Sequence, residues 1–406
     1  MTNSPNEYRK KYFNTNNPTT KIFVTVLVIA IIVFIIKSTG QKKNNNLPVT
    51  QYKAFTNESG SLNNKNTIEN IKQISSDSRG QKNVSVAFSQ TIPTPPVNDI
   101  EIDEYKRVWI ATEKGVYKLE NDEMTAFTVE NGKFPFPQAN SIETDGKNLW
   151  VCSLFGICKY DESGKFINKT DKFSLPSNVV WDIKLDGENL WVSTQKGIVF
   201  YKSIELEDES NNTKEKSDTK IIINKENTNN GLRSSWCTKI SRYLNWLSVI
   251  HDNGLSVLNI GFPAGSPNAW KNIDHTKSSI SRPIYDMTFD GKNIWLGTST
   301  GLMMVNTPLK NFESNFSPEL VNYSELHGLP SNIIYSLVFH KNAIWLGTSK
   351  GLARIRNNHI QTISDISGKK PEAIRTLAIQ GESDNITLLW MGTNTGVQFI
   401  NTQLAD

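Results

Sequence analysis

Five side chains able to bind a ligand recur at one place in a repeat. Trp181, Trp236, Tyr285, Tyr335 and Arg375 each stand near the start of an expected strand, where Asn98 and Asn140 hold the matching positions. The fourth and last of these seven alignments are the least regular, the last needing a longer turn at Gly381 to Asn385. Aromatic rings offer apolar faces with polar tips, and a guanidinium pairs with anions or carbonyls. The residues that follow are Asp99, Ser141, Asp182, Cys237, Asp286, Ser336 and Thr376, mostly small and polar. One residue further on, Ile100, Ile142, Ile183, Met287 and Leu337 are apolar. Successive residues of a strand face opposite ways, so one face packs between repeats while the other lines a central channel. Two roles follow for these positions. The plainer is inter-repeat packing and hydrogen bonding around a watery bore. The sharper is a pocket with aromatic walls and an arginine, suited to a sugar or an anionic organic ligand, with Asp99, Ser141, Asp182, Asp286, Ser336 and Thr376 lining the channel beneath. The acidic members offer a cation oxygen ligands, but no metal site is assigned.

Other chemistry is absent from the sequence pattern. His251, His275, His327, His340 and His359 lack metal-ligand spacing. No glycine-rich phosphate loop or Gly-x-Ser-x-Gly elbow occurs, so no catalytic residue and no cofactor is expected. A lyase or hydrolase built on the same repeats, acting on an extracytoplasmic carbohydrate or related substrate, is the alternative, because catalytic groups can converge in space without a motif. Nucleic acid is not an expected partner. The net charge is +4, and Arg9, Lys10, Lys11, Lys21 and Lys37 against Glu7 supply all of it, so residues 38–406 are neutral. Cys152, Cys158 and Cys237 read as buried thiols, because Cys152 and Cys158 fall on opposite sides of one hairpin.

The elements that must position these residues follow from an eight-residue signature: Trp, aliphatic, small, Thr or Ser, two turn residues, then Gly and an apolar residue. It reads Trp109-Ile110-Ala111-Thr112…Gly115-Val116 first, and returns from Trp150, Trp191, Trp295, Trp345 and Trp390, with a degraded copy at Trp246. The tryptophans are 41, 41, 55, 49, 50 and 45 residues apart. Four short strands with turns need roughly 40 to 45 residues, the length of one propeller blade. In the third copy, strands are expected over 180–185, 190–194 and 198–202, joined by Asp186-Gly187-Glu188-Asn189 and a turn at Gly197. Asp145-Gly146-Lys147-Asn148 and Asp290-Gly291-Lys292-Asn293 repeat the first turn, which gives these Asp residues a structural role. The fold is therefore an all-β, seven-bladed propeller. The last copy lacks a fourth strand, and 84–89 (Val-Ser-Val-Ala-Phe-Ser) is expected to supply it and close the ring.

These units resemble the repeats of the two-component regulator propeller family, sensor modules of bacterial hybrid histidine kinases. The resemblance covers about residues 84–401. It includes Leu175-Pro176-Ser177-Asn178 and Gly328-Leu329-Pro330-Ser331-Asn332, similar to that family's turn before the innermost strand. It implies a ligand-binding sensor. Members of the family usually carry a second propeller, an immunoglobulin-like module, a membrane helix and a kinase. None follows here, so the expectation is signalling through a partner.

The remaining chain divides into a cytoplasmic tail (1–21), a transmembrane anchor (22–37), a disordered polar tether (38–83) and the propeller (84–406). Residues 22–36 are apolar except for Thr25 and span about 22 Å as a helix, which snorkelling of Lys21 and Lys37 extends. A cleavable signal peptide has a similar apolar length, but Lys37 follows at once and no Ala-x-Ala site appears. The expected topology is a single pass through the inner cell membrane, N-terminus inside, with the propeller in the periplasm or outside the cell. A second polar stretch, 205–220, reads as an exposed insertion in the third blade. The function expected is non-enzymatic. The propeller would bind an envelope protein partner or a small-molecule or glycan ligand, as a sensor accessory or scaffold.

Overall fold

A computed structural model of the chain describes residues 73–76, 82–144, 149–161, 163–202, 220–266, 268–274, 280, 283–306, 318–365, 367–383 and 386–405. The expected anchor at 22–37, most of the tether, the turn at 145–148, His275 and nearly all of the 205–220 insertion lie outside them. Among the described residues no helix is long and apolar enough to cross a membrane.

The described strands form seven sheets. Their first strands are Val97–Ile102, Ser141–Thr144, Val180–Asp186, Cys237–Tyr243, Ile284–Phe289, Ile334–His340 and Ile374–Ser383. Each neighbours the next, and the last neighbours the first, so they form a closed inner ring. Each blade then steps outward through antiparallel pairings. The third blade matches the expectation closely, with strands at Val180–Asp186, Asn189–Thr194, Gly197–Tyr201 and Lys220–Ile223.

The repeated signature builds the hairpin between the second and third strands. Thr112 Oγ1 donates to the Gly115 carbonyl (2.9 Å) and accepts the Lys114 amide (3.1 Å). Thr194, Thr298, Thr348 and Thr393 make the same bond to Gly197, Gly301, Gly351 and Gly396. At Gly301, φ is +139° and a Cβ would come within 2.2 Å of the Tyr323 carbonyl oxygen, so any side chain collides with the outer strand. The turn aspartates also act structurally: Asp290 Oδ1 accepts the Lys292 and Asn293 amides, while Oδ2 accepts Trp295 Nε1 at 2.6 Å.

A single blade is too thin to have a core of its own, and the apolar residues gather between blades. Among the described residues there are seven such clusters, one per blade interface. Trp109, Phe127, Ile142 and Val151 share the first, and Trp150, Phe173, Val180 and Tyr201 the second. Trp109, Trp150 and Trp345 are at most 2% exposed. Replacing one by alanine would cost about 3–5 kcal/mol.

The ring closes with an N-terminal strand, but not the expected one. Ile92-Pro93 pairs with Val397 and Gly396 of the seventh blade. Ser89 extends that seam, its amide donating to the Phe399 carbonyl and its Oγ accepting the Phe399 amide, both at 2.9 Å. Lys82–Val86 instead pairs in parallel with the outer strand of blade six, and Gln73–Ser76 adds antiparallel beyond it. The physical reason is burial. Val84 and Val86, 2% and 0% exposed, fill the wedge between blades six and seven against Ile363, Ile374 and Ile400. The regular strand pairing of blade six therefore extends into the span read as tether.

Candidate functional site

Six of the seven inner strands carry a β-bulge at their start, where two residues face one on the partner strand. The bulged residues are Asn98, Trp181, Thr238, Tyr285, Tyr335 and Arg375, with Asn140 at the head of the second blade. They rim one mouth of the bore. Tyr285 and Tyr335 meet edge to face, ring centroids 5.4 Å apart. Tyr285 is 38% exposed, and burial followed by Tyr335 moves its hydroxyl above the usual phenol range. Trp181 is half-buried, and its Nε1 has no hydrogen-bond partner among the described residues. The opposite side of the rim is polar and tied together. Asn98 Nδ2 donates to the Ala139 carbonyl and Asn140 Nδ2 to the Val180 carbonyl, each joining one blade to the next. Arg375 reaches from blade seven to blade one, donating to Asn98 Oδ1 (2.8 Å) and Glu113 Oε1 (3.1 Å), and to Asn394 Oδ1 in its own blade (3.2 Å). Its guanidinium thus already has acceptors without a ligand.

Trp236 and Cys237 need correction. The bulge of blade four falls between Cys237 and Lys239, so Thr238 holds the rim position and Lys239 the channel position. Trp246 pairs with Tyr243, whereas Ser248 pairs with Ser241 at the register where Trp191 pairs with Lys184. Ser248 is therefore the counterpart of the repeated tryptophan, and counting back from Trp246 lands two residues early. Cys237 instead takes the fully buried apolar position that Val97 and Val180 hold in their blades. All three cysteines are free and buried, with Cys152 opposite Ile157 and Cys158 opposite Val151.

Below the rim, Asp99, Ser141, Asp182, Lys239, Asp286, Ser336 and Thr376 form a ring of bonds between blades. Each of three aspartates accepts a backbone amide of the following blade: Ile142 on Asp99 Oδ2, Ile240 on Asp182 Oδ2 and Leu337 on Asp286 Oδ2. Ser336 Oγ accepts the Leu377 amide likewise, and Thr376 Oγ1 reaches Asp99 Oδ1 at 3.5 Å. Lys239 Nζ lies 3.1 Å from Asp286 Oδ1. Burial acts to lower the pKa of this ammonium, but Asp286, Asp182 and Asp99 outweigh it and the net direction is up. Ser141 Oγ is 2.8 Å from both Asp99 Oδ2 and Asp182 Oδ1. One hydroxyl proton serves one carboxylate at a time, and burial raises Asp182 above the usual carboxylate range despite Lys239.

A second charged layer follows two residues further along three inner strands: Glu101, Glu143 and Lys184. Period-two counting from Asp99, Ser141 and Asp182 was the signal for these residues, but the expectation stopped at the first layer. Lys184 Nζ pairs with Glu143 Oε2. Burial, then the Glu143 carboxylate, pushes Glu101 up to about 9. Burial also raises Glu143 despite Lys184. Among the described residues no group of three or more His, Cys, Asp or Glu is placed to hold a metal ion.

A seven-bladed β-propeller is the class this geometry defines. Solved structures share it. The extracellular domain of a hybrid two-component system from B. thetaiotaomicron is 21% identical, with a TM-score of 0.56 over 77% of this chain and 40% of that one. A second such domain from the same organism is 17% identical, with a TM-score of 0.57 over 77% and 39%. A chain of the mitotic checkpoint complex is 12% identical, with a TM-score of 0.51 over 78% and 93%. The chain thus spans well under half the length of the two sensor domains. No protein-family model and no curated protein matches it. At these identities the likeness establishes the fold, which unrelated systems share.

Proposed function

We propose that this protein is a membrane-anchored, extracytoplasmic propeller that recognises a protein partner or a small ligand without catalysis, as a sensor accessory or a scaffold. The observation that carries the reading is the uneven rim. Trp181, Tyr285 and Tyr335 occupy bulged positions on one side, while the hydrogen-bonding needs of the other side are met internally. Large aromatics at a rim that small residues would close are the usual anchors of recognition. The fold shared with extracellular sensor domains, and the apolar run before the propeller, support the extracytoplasmic placement. A sugar unit suits the aromatic side, and an anionic group is disfavoured by the aspartates just below. The test pairs a thermal-shift screen of glycans and organic acids with a crosslinked pull-down from membranes. A ligand at 100 times its Kd stabilises by about 2.7 kcal/mol. Stabilisation by a glycan, or one reproducible envelope partner, is expected; release of a cleaved product from a glycan would favour the hydrolase or lyase alternative.

A further inference from the structure

On the face of the ring away from the mouth, a cleft of about 290 Å³ opens between blades five and six. Its rim carries four carboxamides, Asn293, Asn342, Asn357 and Asn358, all in turns at the strand ends. Its walls and floor are apolar, formed by Trp295, Phe339, Met304, Ile344 and Ile355. Asn293 is 9% exposed, and its Oδ1 has no hydrogen-bond donor among the described residues. Asn342 and Asn357 have φ of +59° and +49°, a backbone state that asparagine tolerates and that fixes where the side chain leaves the turn. Asp290 and Lys292, one charge of each sign, leave the rim neutral.

We propose that this cleft binds an extended peptide segment carrying an apolar side chain. A carboxamide offers a donor and an acceptor in one plane, as a peptide unit does; Asn293 Nδ2 is held by Asp290 and Asn358 Oδ1 by the Tyr323 hydroxyl, so Asn342 and Asn357 are the pair placed to meet main-chain amides. The interior then takes the side chain. Ile344 and Ile355, each 3% exposed, back it and offer no polar partner. A sugar ring fits worse, since hydroxyls around its whole edge would be buried unpaired against those isoleucines. A charged group finds no net opposite charge. Binding in this far-face cleft is independent of whether the mouth binds anything.

The test uses the full chain in detergent micelles and N-acetyl-phenylalanine methylamide as probe, with methyl β-glucopyranoside for comparison, followed by NMR titration. Binding of the probe at roughly 1 mM is expected. In the double variant Asn342→Gly/Asn357→Gly, which keeps residues suited to positive φ, affinity should fall by about tenfold with melting unchanged. Met304→Ala should weaken binding independently by shortening the floor. Equal affinity in wild type and both variants, preference for the glucoside, or no probe signal up to about 20 mM would each overturn the assignment.

Discussion

Val84 and Val86 offer a quantitative check on the unexpected strand beside blade six. Both are essentially unexposed and pack in the wedge shared with blade seven. Each Val→Ala change removes two methyl groups, about 1.5 kcal/mol by transfer alone. The double variant Val84→Ala/Val86→Ala should therefore lose roughly 3 kcal/mol, a little more if the wedge does not collapse. At roughly 2 °C per kcal/mol for a large domain, melting should drop by about 6 °C. Val129→Ala, at a site 48% exposed, should shift it by less than about 1 °C. Scanning calorimetry on all three proteins measures this. If the double variant melts with the wild type, Lys82–Val86 is not seated on blade six and its burial is wrong.

Three further outcomes follow from the bore and the seam. Glu101, pushed up to about 9, keeps a proton that the unfolded chain releases near pH 4.3, so its contribution is lost as pH rises through that window. Glu101→Gln should flatten this fall, read as melting temperature between pH 5.5 and 9 (about where the group titrates); parallel curves would contradict it. Lys239→Met leaves Asp286 without its ammonium and should cost roughly 2 kcal/mol, discounted for a lysine side chain 34% exposed, measured by urea denaturation. An unchanged midpoint would remove Lys239 from the ring. A chain beginning at residue 82 should fold cooperatively, while one beginning at 93 exposes the Gly396–Asn401 edge and should aggregate. Equal solubility and melting would refute closure by Ser89 to Pro93.

The blade count and the strand hairpins were legible because Trp, Thr and Gly each answer a local geometric demand that repeats. Closure from the N-terminal side was legible too, since the last copy visibly lacks a strand. The choice of closing strand was not, because Val84-Ser85-Val86 alternates as a strand does while the two residues Ile92-Pro93 are too few to show a period. What separates them is a wedge between blades, which no local pattern encodes. Counting from the repeated tryptophan placed Asn98, Trp181, Tyr285, Tyr335 and Arg375 in the bulges that open their inner strands, and Asn140 just before its own. Blade four failed because its tryptophan moved two residues along the same face, which preserves the period-two pattern while shifting the register. Lys239 was missed for that reason alone. The cleft between blades five and six joins turns about fifty residues apart, so its carboxamides converge only in space.

Recognition at the mouth is tested most directly by site-specific photocrosslinking in cells. A benzoylphenylalanine at Tyr335, on the rim, is compared with one at Ile167, exposed on the outer strand of blade two. The account predicts a discrete crosslinked species from position 335, whether to a protein or to a glycan, and none from position 167. Crosslinks from 167 alone would move the working surface to the blade edges and contradict recognition at the mouth.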